Sequence, residues 1–375
     1  MPWSTPIVSE LRTAFVHAVR TAKRPVASAA RDFGISRKTA YKWLTRFDDQ
    51  RPLHDQSRRP HRSPYRTSEA LEHAILAVRD EYGWGPRKIV AYLKNHDRPA
   101  PPVRTAAAIL RRHGRSTPPA GPTRDDLQRF ERPRPNQLWQ LDFKGYVEIH
   151  RQRIYPLTIL DDHSRFLLAL DCRTAQTYAC AWDVLWNTLG EYGLPEQILC
   201  DNAFGNHGPA PGISWFEARL IRLDIQPLHG RPYHPQTQGK IERLHRTLES
   251  EVFPRLPHDS LPNFQAGLDH WRTAVYNALR PHEALGDVPP VTRWKPGVRP
   301  RPDRLPDVEY PAGAAVRKAN TTGDIRWRGA RILVGQGLIG QYVRVEEVEG
   351  YLRLWYGSRR IREIPVDCLA GTGLL

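Results

Sequence analysis

Cysteine is scarce in this 375-residue sequence: there are four, at positions 172, 180, 200 and 368, with none before residue 172 and no C-x-x-C pair. That pattern excludes a disulfide framework and a Cys-type zinc site, and it predicts reduced, buried thiols. Long apolar runs are also missing. No uncharged apolar stretch approaches the roughly 18 residues that a membrane span needs, and the opening M-P-W-S-T-P-I-V-S-E lacks the basic and then apolar order of a signal peptide. The expectation is a soluble, cytoplasmic chain with no membrane partner. At 40% hydrophobic and 26% charged, it has enough apolar content for the cores of several domains.

Acidic residues are sparse at the two ends. Residues 1–120 carry 23 Lys/Arg against 10 Asp/Glu (+13), residues 291–375 carry 15 against 9 (+6), and residues 121–290 carry 18 against 21 (−3). Basic ends suit a polyanion such as double-stranded DNA, whose phosphates exchange counterions for Lys and Arg. A mildly acidic middle suits carboxylates that await a cation.

In residues 1–50, Val8, Leu11, Phe15, Val16 and Val19 follow helical spacing. Pro25 opens a second helix with Val26, Ala29, Ala30 and Phe33 inward, and Ser36 caps a third in which Ala40, Trp43, Leu44 and Phe47 face in. This is the pattern of a helix-turn-helix domain. Its last helix leaves Arg37, Lys38, Tyr41, Lys42 and Arg46 outside, suited to a major groove. Residues 51–67 form a Pro- and Arg-rich linker whose Arg58, Arg59 and Arg62 can follow phosphates, or simply stay solvated. Residues 68–115 suggest a second helix-turn-helix, with Pro86 at a first helical position, Ile89, Val90, Leu93, Val103, Ala107 and Leu110 inward, and Arg87, Lys88 and Arg104 as cations. Another linker covers 116–134.

From residue 135 the pattern changes. Strands are predicted over Trp139–Ile149, Ile154–Leu160 and Phe166–Leu170, then a helix over Tyr178–Tyr192, a strand Gln197–Cys200, a helix Ser214–Leu223, a strand Ile225–Leu228 and two further helices, the last over Leu261–Leu279. The order β-β-β-α-β-α-β-α implies a mixed sheet with helices on its faces, reaching to residue 295. Residues 296–309 are a stiff linker, and 310–375 carry short strands punctuated by glycine, a small all-β barrel.

Three acids stand out in the middle region. Asp142 lies in a strand on the face opposite Leu141 and Phe143, and Asp201 follows directly on a strand end, where ligands collect in open α/β sheets. Glu242 enters in the first turn of a helix whose apolar stripe is Ile241, Leu244, Leu248 and Val252, with Lys240, Arg243 and Arg246 around it; these three and Arg231 are further cations expected on DNA. Taken singly, each has a plain structural reading: a turn at Asp201, a lysine partner for Asp142, an i,i+4 pair of Glu242 with Arg246. Asp161 and Asp162 are rival acids, but their place beside Ser164 and Arg165 points to a turn.

The segments L-W-Q-L-D-F-K, D-D-H-S-R-F, Q-I-L-C-D-N-A-F-G, R-P-Y-H-P-Q-T-Q-G-K-I-E-R-L-H-R and Y-N-A-L-R-P-H-E-A-L resemble, in order, the integrase core of bacterial insertion-sequence transposases and retroviral integrases, the DDE group on the ribonuclease H-like fold. The front half, with W-G-P-R-K-I, is similar to insertion-sequence transposases. The resemblance implies a multidomain chain: all-α helix-turn-helix domains, an α/β ribonuclease H-like core, and a small all-β, SH3-like domain. It implies Asp142, Asp201 and Glu242 as catalytic acids and metal ligands for two Mg²⁺ ions, with Mn²⁺ able to substitute. Its partners would be the element's terminal inverted repeats and target DNA, bound by a homodimer or higher oligomer in the bacterial nucleoid. A metal nuclease or resolvase on the same fold, or a domesticated DNA-binding protein, are the alternatives. Two departures bear on the loop after Asp201: Ala203 stands where glycine is usual, and forty residues separate Asp201 from Glu242, a few more than usual. His229, His234 and His245 fit DNA contacts or structural roles better than ligands.

Overall fold

The computed structural model describes residues 8–55, 66–116, 131–201, 212–229 and 239–370. They form two compact units, Met1–Thr67 and Ser68–Leu375. In the first, α1 (Val8–Arg20), α2 (Val26–Asp32) and α3 (Arg37–Asp48) enclose Phe15, Val16, Ala29, Ala30, Ala40 and Leu44. Ser36 caps α3 by accepting the Thr39 N–H at 3.1 Å. The inward expectation fails for Phe47, 48% exposed, and for Val8 and Leu11. Val8 and Leu11 lie in the first turn of α1 and Phe47 in the last turn of α3, outside the core the described residues form.

The second unit begins with α4 (Glu69–Tyr82), α5 (Pro86–Asn95) and α6 (Val103–Arg112), closed over Ile75, Ile89, Leu93, Ile109 and the buried Trp84. Val103, expected inward, is exposed at the first position of α6. Glu72 is buried, and its charge is met by Arg112 at 2.5 Å and His113 at 3.1 Å. Val275 and Leu279 pack against this helical core. Arg87 pairs with Glu283 (2.7 Å) and Asp287 (3.1 Å), and Lys88 with Glu251 (3.6 Å).

The central sheet has six strands: β1 (Leu138–Phe143), β2 (Val147–Ile149), β3 (Gln152–Asp161), β4 (Leu167–Arg173), β5 (Gln197–Cys200) and β6 (Gln226–His229). The first predicted strand is broken in two, because Gly145 turns the chain at φ +93°. β3 pairs antiparallel with β1, β2 and β4, while β1–β5 and β5–β6 are parallel. Side chains alternate across the sheet. Trp139, Leu141, Leu157 and Ile159 meet α7 (Tyr178–Tyr192) and α8 (Trp215–Arg222) on one face. Ile154, Leu160, Leu167 and Leu170 share a core with Leu244 and Leu248 from α9 (Gly239–Thr247) and its continuation, and with Phe264 and Leu268 from α10 (Leu261–His270). Both α9 and α10 run on as π-helical turns, Leu248–Val252 and Trp271–Asn277.

Strand β4 would leave backbone groups open beside these helices, and side chains close them. Asn277 accepts the Leu167 N–H and donates to its carbonyl (2.8 and 2.9 Å), Gln265 does the same for Cys172 N–H and Leu170 O (2.9 Å each), and Arg272 donates to Leu168 O at 2.9 Å. A sheet edge so covered cannot recruit another strand.

The C-terminal strands β7 (Val316–Lys318), β8 (Asp324–Trp327), β9 (Ala330–Leu333), β10 (Tyr342–Val348), β11 (Tyr351–Tyr356) and β12 (Arg359–Pro365) form an antiparallel sheet in the order β12-β11-β10-β7 and a β8-β9 hairpin. Their shared core includes Ile325, Ile332, Val343, Leu352 and Leu354, and takes in Ala218 and Ile221 from α8. Gly337 permits this seating: a Cβ there would lie 2.1 Å from Ser214 O. The four cysteines are free; Cys172 and Cys200 are buried as expected, whereas Cys180 is half-buried and Cys368 exposed. No described helix is long and apolar enough to cross a membrane.

Candidate active site

Parallel pairing of β1 with β5 puts Leu141 opposite Cys200. The next residue along each chain segment is an acid, Asp142 within β1 and Asp201 just past the end of β5, so the two stand side by side beyond the last paired residues. Leu141 is fully buried among the α7–α8 core, which turns Asp142 toward the opposite face. There α9 packs against β1, bringing Glu242 in from its first turn.

The electrostatics show that Asp142 senses the other two acids. Burial first, then the charge of Asp201 and, more weakly, that of Glu242 push the Asp142 carboxyl up to about 7, against a lowering by its hydrogen bond to the Phe143 backbone. Among the described residues no three Asp, Glu, His or Cys side chains converge closely enough to cage a metal. The acids are thus within electrostatic reach but not closed around a point. Their chemistry fits a hard divalent cation: carboxylate oxygens, one destabilised by the other two, are what such an ion relieves. The ordinary alternatives fare worse, since Asp142 has no lysine partner and no Glu242–Arg246 ion pair forms among the described residues.

His245 lines a cleft with Lys144, Glu242, Arg246 and Glu249. Its Nε2 lies 2.8 Å from Thr158 Oγ1, which donates to Asp142 O at 3.1 Å, and its Nδ1 lies 3.9 Å from Asp142 Oδ2. A hydroxyl has one proton, so Thr158 accepts from an Nε2–H imidazole. Burial, then Lys144, lowers His245 to about 4, so it is neutral at pH 7. Lys144 Nζ meets Glu249 at 2.5 Å. His229 Nε2–H donates to Glu217 Oε1 (2.9 Å), beside Cys200.

The cations expected on DNA divide. Arg37, Lys38, Tyr41 and Lys42 are exposed on α3, Arg104 on α6, and Arg243 and Arg246 on α9. Arg46 is half-buried, its guanidinium 4.9 Å from the Trp43 ring. Arg87, Lys88 and Lys240 pair with acids of the chain itself. Arg58, Arg59, Arg62, Arg231 and His234 lie outside the described residues.

Asp161 and Asp162 do not join the acid group. Asp161 accepts Ser164 N–H (2.7 Å), Ser164 Oγ–H (2.6 Å) and Asn136 N–H (2.8 Å), an Asx-type turn lock. Asp162 is held by Gln140, Arg132 and Lys240. Sequence reasoning missed this last set, and Asn277 and Arg280 of the Y-N-A-L-R-P-H segment, whose partners are more than 28 residues away.

Fold and strand-end acids together define a ribonuclease H-like α/β core behind a helical N-terminal region and before an all-β one. Residues 132–235 match a family model described as Integrase core domain, and residues 223–290 match a second of the same description. Residues 39–110 match a Homeodomain-like domain and residues 12–61 a Helix-turn-helix domain. The chain therefore carries an integrase core domain preceded by helix-turn-helix domains. The Gag-Pro-Pol polyprotein of Mason-Pfizer monkey virus is 34% identical over 118 residues, 32% of this chain and 6% of that polyprotein. That of Squirrel monkey retrovirus is 34% identical over 121 residues, with the same shares. The chain spans about 6% of the length of these curated relatives. Among solved structures, a chain of the simian T-cell lymphotropic virus intasome in complex with PP2A regulatory subunit B56 gamma is 17% identical, covering 78% of this chain and 96% of that one, TM-score 0.37. The HTLV-2 integrase catalytic core domain in complex with magnesium, trimeric form, is 18% identical, covering 43% and 97%, TM-score 0.30.

Proposed function

We propose that this protein is a DNA transposase of the insertion-sequence type, which binds the ends of its element, cleaves there and joins the 3′-hydroxyls to target DNA. The observation that carries the reading is the placing of Asp142 and Asp201 one residue beyond the paired Leu141 and Cys200 of two parallel strands, with the helix of Glu242 packed against β1, inside the two integrase-core matches. The tandem helix-turn-helix matches in front of that core favour an enzyme that must select particular DNA ends.

Asp142, Asp201 and Glu242 would hold Mg²⁺, or Mn²⁺ in its place. When bound, two such ions supply Lewis-acid stabilisation to the attacking and leaving oxygens of phosphoryl transfer. The chain does the rest. Exposed Arg243 and Arg246 on α9 draw phosphate toward the cleft, and α3 presents Arg37, Lys38, Tyr41 and Lys42 to a groove. Neutral His245 supports the Asp142 strand through Thr158 without adding a charge beside the acids. In the joining step a 3′-oxygen forms the new P–O bond, the target strand's 3′-oxygen leaves, and the attacking hydroxyl's proton passes to solvent. An element has two ends, so a dimer or larger assembly is the working species.

The test is Mg²⁺-dependent cleavage and joining on a labelled end duplex with the full-length protein. Cleavage with joined product is expected. Cleavage without joining would make it a nuclease, and specific binding without either would leave a DNA-binding protein.

A further inference from the structure

One buried carboxylate touches two of the three elements that bring in the proposed acids, β1 and α9. Asp162 is fully withdrawn from solvent, in the turn after β3. Its Oδ1 accepts Gln140 Nε2 at 2.9 Å and Lys240 Nζ at 2.5 Å, and its Oδ2 accepts the Arg132 N–H at 2.8 Å. Lys240 also donates to the Asp162 carbonyl at 3.1 Å, and the Asp162 N–H donates to Leu138 O at 2.9 Å. Gln140 stands two residues before Asp142 on β1, hence on the same face. Lys240 stands two residues before Glu242, as the second residue of α9.

We infer that Asp162, with Gln140 and Lys240, is a positioning clamp that fixes the distance between the Asp142 strand and the start of the Glu242 helix. The inference rests on the functional reading above and assigns Lys240 a role other than a phosphate contact. Residues two apart on a helix do not face each other, so Lys240 does not act on Glu242 by contact. It fixes where α9 begins. A lysine free to swing toward DNA would not be spent on a carboxylate with no exposed surface: Lys240 Nζ donates to both Oδ1 and the backbone carbonyl of Asp162, and its side chain is only 18% exposed. Groups that orient a metal's ligands from behind typically change metal affinity or activity by about 10- to 100-fold when removed, which gives the size of the effect expected.

The experiment uses the full-length protein with Lys240→Met, Lys240→Arg and Asp162→Asn, checked by thermal melting. Hydrogen exchange at residues 239–247 is read without metal. Mg²⁺ half-saturation is read from single-turnover cleavage, and end-DNA affinity is read without metal at several salt concentrations. Lys240→Met should speed exchange at the start of α9 and raise the Mg²⁺ needed by on the order of tenfold or more. DNA affinity and its salt slope should stay unchanged, and Lys240→Arg should restore part of the loss. Asp162→Asn, which keeps the shape of the acceptor, should shift the same readings in the same direction even if Lys240→Met folds poorly. Unchanged exchange in both variants overturns the clamp. So does a Lys240→Met protein that loses DNA affinity and salt slope while keeping its Mg²⁺ requirement. A wild-type chain inactive on every end duplex would defeat the functional reading alone, because the exchange result still decides the clamp.

Discussion

One helical arm carries two acids that the fold treats in opposite ways. Glu242, in the first turn of α9, is exposed, and its charge adds to that of Asp201 in raising the Asp142 carboxyl. Glu251, in the π-helical turn that continues the arm, receives Arg280 through two hydrogen bonds (2.5 and 3.0 Å) and Lys88 at 3.6 Å. Burial alone would raise the Glu251 carboxyl, but Arg280 and Lys88 outweigh it and hold it below its ordinary range. The seam between α5 and the core is electrostatically finished, whereas the strand-end cleft is not. A finished acid serves stability; an acid left among acids is held for a cation that is not part of the chain.

The largest effect should come from breaking the unfinished side. Asp142→Asn keeps the shape but removes a ligand charge, and several kcal/mol of transition-state stabilisation corresponds to a rate loss of about a thousandfold or more. End-DNA binding should persist. A melting profile in metal-free buffer sharpens the point. The Asp142 carboxyl is raised, so its contribution is fully present below about pH 4 and is lost as pH rises toward 7. Asp142→Asn should flatten that fall, and a variant that melts lower than wild type at pH 7 would return Asp142 to a structural role. Asp161→Asn, confined to the turn, should lower stability more than it lowers cleavage rate.

The next effect lies on the finished side. Glu72→Gln leaves Arg112 and His113 without the carboxylate they share. Removing one partner of a fully buried pair costs about 3–5 kcal/mol, and because Arg112 reaches solvent the expected loss is about 2–3 kcal/mol, read by chemical denaturation. Glu251 sets a pH signature opposite to that of Asp142. Its carboxyl is lowered, so its stabilisation is present above about pH 4.5 and is lost as pH falls through its folded value. Arg280→Met should erase that acid-limb dependence. An unchanged acid limb would mean that Arg280 and Lys88 do not hold the charge.

Much of this contrast could be read in the sequence, and the unread part has one cause. The positions of Asp142 in a strand, Asp201 at a strand end and Glu242 at a helix start were legible because strand alternation, a strand end and a helix start are local signals. The stripe Ile241, Leu244, Leu248 and Val252 is buried as its spacing implies. What was not legible is which charges answer each other across the fold. Lys240 among Arg243 and Arg246 looks like one more cation for phosphate until the turn at Asp162 is folded against it. Arg87 and Lys88 look like groove readers until Asp287, Glu283 and Glu251 arrive from more than 160 residues away. Phe47 errs the other way: its periodicity marks an inner face, but α3 outruns the helices that would cover it.

The smallest expected effect separates two lysines that charge alone cannot tell apart. Lys38 is exposed in the first turn of α3, and no ion pair engages it among the described residues. Lys88 on α5 is tied to Glu251, and burial lowers its pKa to about 8 even though that carboxylate raises it. A lysine that contacts phosphate releases about one counterion on binding, so its loss should reduce the salt slope of affinity by roughly one. Lys38→Ala should show that reduction, weakening end and unrelated DNA alike, with no change in melting temperature. Lys88→Ala should leave the salt slope unaltered and lower the melting temperature, because it removes a cation from a half-buried carboxylate. The measurement is DNA affinity for both variants at four or more salt concentrations, with melting curves alongside. Equal slopes for the two variants would erase the distinction between finished and unfinished charges on which the comparison stands. A slope change confined to Lys88→Ala would mean that the α5 ion pairs open when DNA binds.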